Sequence, residues 1–102
     1  MTAPDPWVRL AVDLHQLAER VASLAGKAHP ATSVSFTVQP GPWNGSDEEK
    51  IAAVNTVART LLGVDGHEKR VGTKDLHHDA SGVVGEISVG VFRGLSRKAG
   101  AK

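Results

Sequence analysis

The residues of this chain best suited to chemistry are His67, Asp75, His77, His78 and Asp79. Imidazole nitrogens and carboxylate oxygens together form a donor set for zinc or another divalent ion. On a strand, His77 and Asp79 project from one face, with Asp75 beside them. His67 is a further ligand candidate, and a water-activating metal held by such groups would make the protein a metal-dependent hydrolase. The plainer reading competes with this. Adjacent histidines on a solvated strand face are common, and no helical His-x-x-x-His pair supports a metal site. His78, on the other face, reads as a packing residue that fills space left by a glycine. No cofactor motif is present, and with no cysteine in the chain, disulfides, thiolate catalysis and cysteine-based zinc sites are excluded.

Other catalytic arrangements are weaker. Ser81, Ser88 and Ser96 supply hydroxyls, but no nucleophile elbow surrounds them. Gly82-Val83-Val84-Gly85 lacks the strand-to-helix setting of a phosphate-cradling loop, and its glycines read as turn and sheet-packing residues. Nucleic-acid binding has more material. Lys69, Arg70, Lys74, Arg93, Arg97 and Lys98 could line a basic rim that contacts phosphates. Base stacking would want aromatic side chains, and the chain has only Trp7, Trp43, Phe36 and Phe92.

Trp43 stands in the loop Pro-Gly-Pro-Trp-Asn-Gly, where turn chemistry does not account for a large aromatic. Exposed, it would anchor a partner protein; folded back, it would cap the core. Trp7 poses the same question and begins a second candidate surface. Trp7, Leu10, Leu14, Leu17, Val21 and Leu24 recur at alternating steps of four and three, which stacks them on one helix face. A helix from about Pro6 to Ala25 would be roughly 30 Å long. A sheet of three or four strands about 4.8 Å apart is narrower. The apolar face then has more length than one small sheet covers, which points to a homodimer.

The elements that position these residues follow from pattern. Asp5-Pro6 is a helix start, and Gly26 with Pro30 is a stop. Ala11, Ala18, Ala22 and Ala25 flank the leucine ladder and permit close approach to a sheet or another helix. Ser33 to Gln39 alternates Val34, Phe36 and Val38 with polar residues, so it reads as a strand. Ser46 opens a second helix with Glu49 placed for a capping box, burying Ile51, Val54, Val57, Ala58 and Leu61 and ending at Gly63. Strands at 74–80 and 83–93 form a hairpin, with Ser81-Gly82 as its turn. In that register Leu76 shares a face with Ile87, and a one-residue slip would bury Asp75, His77 and Asp79 instead. Residues 64–74 carry no clear period. The order is helix, strand, helix, strand, strand: an α+β domain over residues 1–94, a mostly antiparallel sheet with two helices on one face. Residues 95–102 read as a flexible basic tail.

From Ser33 onward this layout resembles small uncharacterised proteins encoded by actinobacteria and their phages. The resemblance covers residues 33–94 and rests on the alternating strand, the helix ending Thr60-Leu61-Leu62-Gly63, and the hairpin from His77 to Phe92. In similar sequences an aromatic often occupies the position of His78. The resemblance implies no activity; it implies an accessory role played by binding something.

Bulk properties agree with a small globular protein. The 102 residues suit one domain, with 40% hydrophobic and 23% charged residues and a net charge of +1. Residues 1–65 carry five Lys/Arg against seven Asp/Glu, and residues 66–102 seven against four. That asymmetry is far short of a nucleic-acid-binding tail. No apolar run approaches a membrane span and no secretory signal is visible, so the expected location is the cytoplasm, with no membrane partner. The sequence thus favours a non-enzymatic protein that self-associates and binds an unidentified protein partner, ahead of a nucleic-acid-binding module and a hydrolase.

Overall fold

The structure, a computed structural model, describes residues 5–31 and 33–98. Where the sequence suggests one domain over 1–94, the chain divides into two compact units, Met1–Thr32 and Ser33–Lys102.

The first unit holds one helix, α1, Pro6–Ala22. Asp5 caps it, its Oδ1 accepting from the Trp7 amide at 2.7 Å, and Pro6 fits the first turn because no hydrogen bond is asked of its nitrogen. The helix stops at Ser23, three residues before the predicted end. The Ser23 hydroxyl donates to the Arg20 carbonyl at 2.7 Å. The amides of Leu24 and Ala25 then bond to carbonyls three residues back, tightening the chain out of α geometry. No residue of α1 is buried.

The second unit contains β1 (Ser35–Val38), α2 (Asp47–Leu62), β2 (His67–Val71), β3 (Asp75–Val84) and β4 (Ile87–Lys98). One four-stranded sheet runs in the order β1-β4-β3-β2. β1 lies parallel to β4 and the other neighbours are antiparallel, so the fold is α+β with a mixed, mostly antiparallel sheet. α2 packs on one face of β3 and β4. Its capping box forms as expected: Ser46 Oγ accepts from the Glu49 amide and Glu49 Oε1 from the Ser46 amide, both at 3.1 Å. Gly63 ends the helix in the left-handed region at φ 73°, where a side chain would be strained. Val54 and Ala58 of α2 meet Ala80 and Val91 in a small core, with Val57 and Leu62 at its margin.

The hairpin turn is Gly85-Glu86, not Ser81-Gly82. Gly85 adopts φ 61°, the feature of a two-residue turn with glycine first. Ala80 therefore faces Val91 rather than Val83. The displacement is an even number of residues, so every side chain stays on its expected face. Leu76, His78 and Ala80 are buried beneath α2, while His77 and Asp79 lie opposite. Gly82 has another use: a Cβ there would stand 3.0 Å from Leu62 Cδ2.

Two further corrections concern segments without apolar alternation. Residues 67–71 form an edge strand whose five residues are all exposed, so no hydrophobic period marks it. The expected flexible tail beginning at residue 95 is instead the end of β4, which runs through Lys98. Leu95 is buried, and the Asp47 carboxylate accepts from the amides of Ser96 at 2.7 Å and Arg97 at 3.3 Å. Those amides, the Ser96 one foremost, hold the Asp47 carboxyl below its ordinary pKa. The rest of the predicted tail, residues 99–102, lies outside the described residues.

Candidate functional site

The His/Asp cluster is split by the strand pleat. His77 leaves the open face of the sheet and stacks on Phe92, ring centroids 5.0 Å apart. His67 sits opposite Asp79 in the β2–β3 register. Among the described residues no three His, Asp or Glu side chains are grouped to hold a metal ion. His78 points the other way and is 8% exposed. Its Nε2 lies 2.9 Å from Asn55 Oδ1, which also accepts from the Gly66 amide at 2.9 Å. A backbone amide only donates, so Oδ1 is the acceptor for both and the imidazole carries its proton on Nε2. Gly66 is required beside it: a Cβ there would be 2.9 Å from the imidazole Cδ2. His78, which the sequence presents as a gap-filler, thus ties β3 to Asn55 of α2, and Asn55 in turn holds the chain entering β2.

Burial first, and the charge of His67 second, depress the His78 pKa below its ordinary 6.5, against the opposite pull of Asp65 and Glu68. The unfolded chain therefore binds a proton more readily than the folded one. His78's contribution to stability is complete above its ordinary pKa and shrinks as pH falls through it. We expect the melting temperature to drop between pH 7.5 and 5.5, and the drop to be shallower in His78→Gln, whose amide can still reach Asn55. Equal slopes in thermal melts of the two proteins would contradict this.

The basic residues do not share one role. Arg93 is 5% exposed and cannot belong to a phosphate-facing rim. It lies on the buried face because β4 continues the alternation Val89, Val91, Arg93, Leu95, all buried. That period, carried past Val91, is the sequence signal that would have found it. Its Nη1 donates to the carbonyls of Pro40 at 2.6 Å and Pro42 at 2.7 Å, and its Nη2 makes a longer contact, 3.4 Å, with that of Trp43. Arg97 pairs with Glu68, and Arg70 donates to the Thr73 carbonyl. Lys69 stands opposite His77 on β2, and Lys74 lies in the β2–β3 turn. The side chain of Lys98 lies outside the described residues.

Two surfaces expose large apolar groups. Trp43 is 75% exposed, so it does not cap the core. The Arg93 guanidinium lies 5.2 Å from its ring centre, a cation–π contact, while the same group binds the loop's carbonyls. The indole is thus presented on a fixed loop. The second surface is α1. Leu14 is 37% and Leu17 56% exposed, and Trp7 and Val21 are exposed with them; only Leu10 is half-buried. Val8 and Val12 are exposed on the far side of the helix.

The open sheet face also has a shallow depression between Ser35, Thr37, Ser81, Ser88 and Gly90. Among the described residues, no titratable side chain lines it. No helix among the described residues is long and apolar enough to cross a membrane.

No family model, no curated protein and no solved structure matches this chain.

Proposed function

We propose that the protein is a non-enzymatic accessory protein of the cytoplasm that forms a homodimer through α1 and engages a protein partner with Trp43. The observation that carries this reading is the apolar stripe of α1, none of whose residues is buried. A helix of this length is marginal in water when it has nothing to pack against. Among the described residues of its own unit there is no second element. Pairing two copies along 17 residues, roughly 26 Å, would bury on the order of 1,000 Å², the lower end of specific interfaces. The resemblance to actinobacterial and phage proteins fits an accessory role. Light scattering across 1–200 µM tests the association: the dimer mass is expected at the upper end, and a monomer throughout overturns the proposal.

A second reading rests on the His77–Phe92 stack. Two rings on an open sheet face, near Lys69, offer a platform for the bases of a single-stranded nucleic acid. It predicts binding of a labelled oligonucleotide that weakens steeply with salt and is lost in Phe92→Ala. Unchanged anisotropy at low salt would eliminate it.

A further inference from the structure

The stripe on α1 has a heptad order. Trp7, Leu14 and Val21 are seven apart, and so are Leu10 and Leu17, which sit three after Trp7 and Leu14. These are the two apolar positions of a paired helix. On one flank of the seam lie Ala11 and Ala18; on the other lie Asp13 and Arg20. The small flank lets backbones approach. The charged flank carries one acid and one base, seven residues apart, and among the described residues neither is in an ion pair.

Orientation decides whether these charges meet. In a parallel pair, each charged-flank residue faces the alanine flank of the other helix, so Asp13 would face Ala18 and find no partner. In an antiparallel pair, like flanks face each other. Aligning Leu14 with Leu17 of the second copy sets Leu10 against Val21 and Ala11 against Ala18. The same register sets Asp13 against Arg20, twice by symmetry. Resting on the self-association reading above, we propose that two copies of α1 pair antiparallel in this register, with reciprocal Asp13–Arg20 ion pairs fixing the direction. Exposed ion pairs add little to affinity, so their effect is on orientation and partner choice.

The chain has no cysteine, so single cysteines report the register cleanly. Under mild oxidation, a mixture of Leu10→Cys and Val21→Cys proteins is expected to form the mixed disulfide. Each alone is expected to stay uncrosslinked, because in this register equivalent residues lie about 16 Å apart, beyond disulfide reach. Asp13→Arg should weaken dimerisation at least tenfold by setting Arg against Arg, and Asp13→Arg with Arg20→Asp should return it to within about threefold of the parent. A wild-type monomer at 200 µM defeats the self-association reading itself. A dimer in which Leu10→Cys crosslinks to itself, the mixture fails to crosslink, or the double exchange gives no rescue defeats the register alone.

Discussion

Leu14→Glu is expected to convert the proposed dimer into a monomer whose second unit stays folded. Leu14 lies at the centre of the proposed seam, and the symmetry of a dimer presents each change twice. Each copy forfeits the burial of a leucine, about 1.5–3 kcal/mol. It also sets a carboxylate against apolar neighbours without a partner. Counting the leucines alone, the loss is at least ~3 kcal/mol, or more than a hundredfold in the dimer constant. The core of the sheet unit is Val54, Ala58, Ala80 and Val91, which Leu14 does not enter. Circular dichroism should therefore lose helix and keep strand, while scattering reports half the mass. Leu17→Glu should act alike. Unchanged association in both variants would remove the helix from the interface. Complete unfolding instead would show that the face has a structural duty.

The second large effect is expected at Arg93. In Arg93→Met the carbonyls of Pro40 and Pro42 lose a buried, charged donor that meets both of them. Hydrogen bonds to charged groups contribute about 1.5–3 kcal/mol each, and relief from burying a guanidinium offsets part of the loss. A net destabilisation of about 2–4 kcal/mol would lower the melting temperature of a unit this small by roughly 10–20 °C. The guanidinium beneath Trp43 also disappears. In a Trp7→Phe background, where Trp43 is the one remaining indole, its fluorescence anisotropy should fall as the loop loosens. Arg93→Lys should rescue only in part, because a point ammonium replaces a planar fork. A variant within 1 kcal/mol of the parent would mean that the packing of Pro40, buried in its own right, holds the loop.

These two residues also mark where sequence reasoning worked and where it stopped. Leu14 belongs to a long periodic pattern, and so do the apolar residues of α2; such elements are legible because one amphipathic face repeats many times. Asp5, Ser46 and Gly63 are legible for the same local reason, since a cap acts within one turn of its helix. Arg93 looks like a surface residue in the sequence because its charge outweighs its position. Its partners are carbonyls some fifty residues away, which no local window contains. The edge strand β2 left no trace because none of its residues is buried. The hairpin turn is ambiguous in the sequence because two glycine-bearing dipeptides four residues apart give identical faces, and only the length of the ladder separates them. Ser96 and Arg97 are held at the end of β4 by their backbone amides, which donate to the Asp47 carboxylate, and an amide carries no residue identity.

The placement of β4 carries a consequence for the order of assembly. It is the last strand of the sheet in chain order, yet it stands in the interior between β1 and β3. β2 and β3 can meet across a short turn as soon as both exist. Among the described residues β1 has no neighbour except β4, so it must wait, unpaired, while some fifty residues are added and threaded past it. Closing that distant parallel contact is the slow entropic step of the unit. A nascent chain halted before Ile87 would thus leave Phe36 and Val38 without their strand, a period of vulnerability to premature capture or cleavage that ends only when the final ribbon slots into the gap.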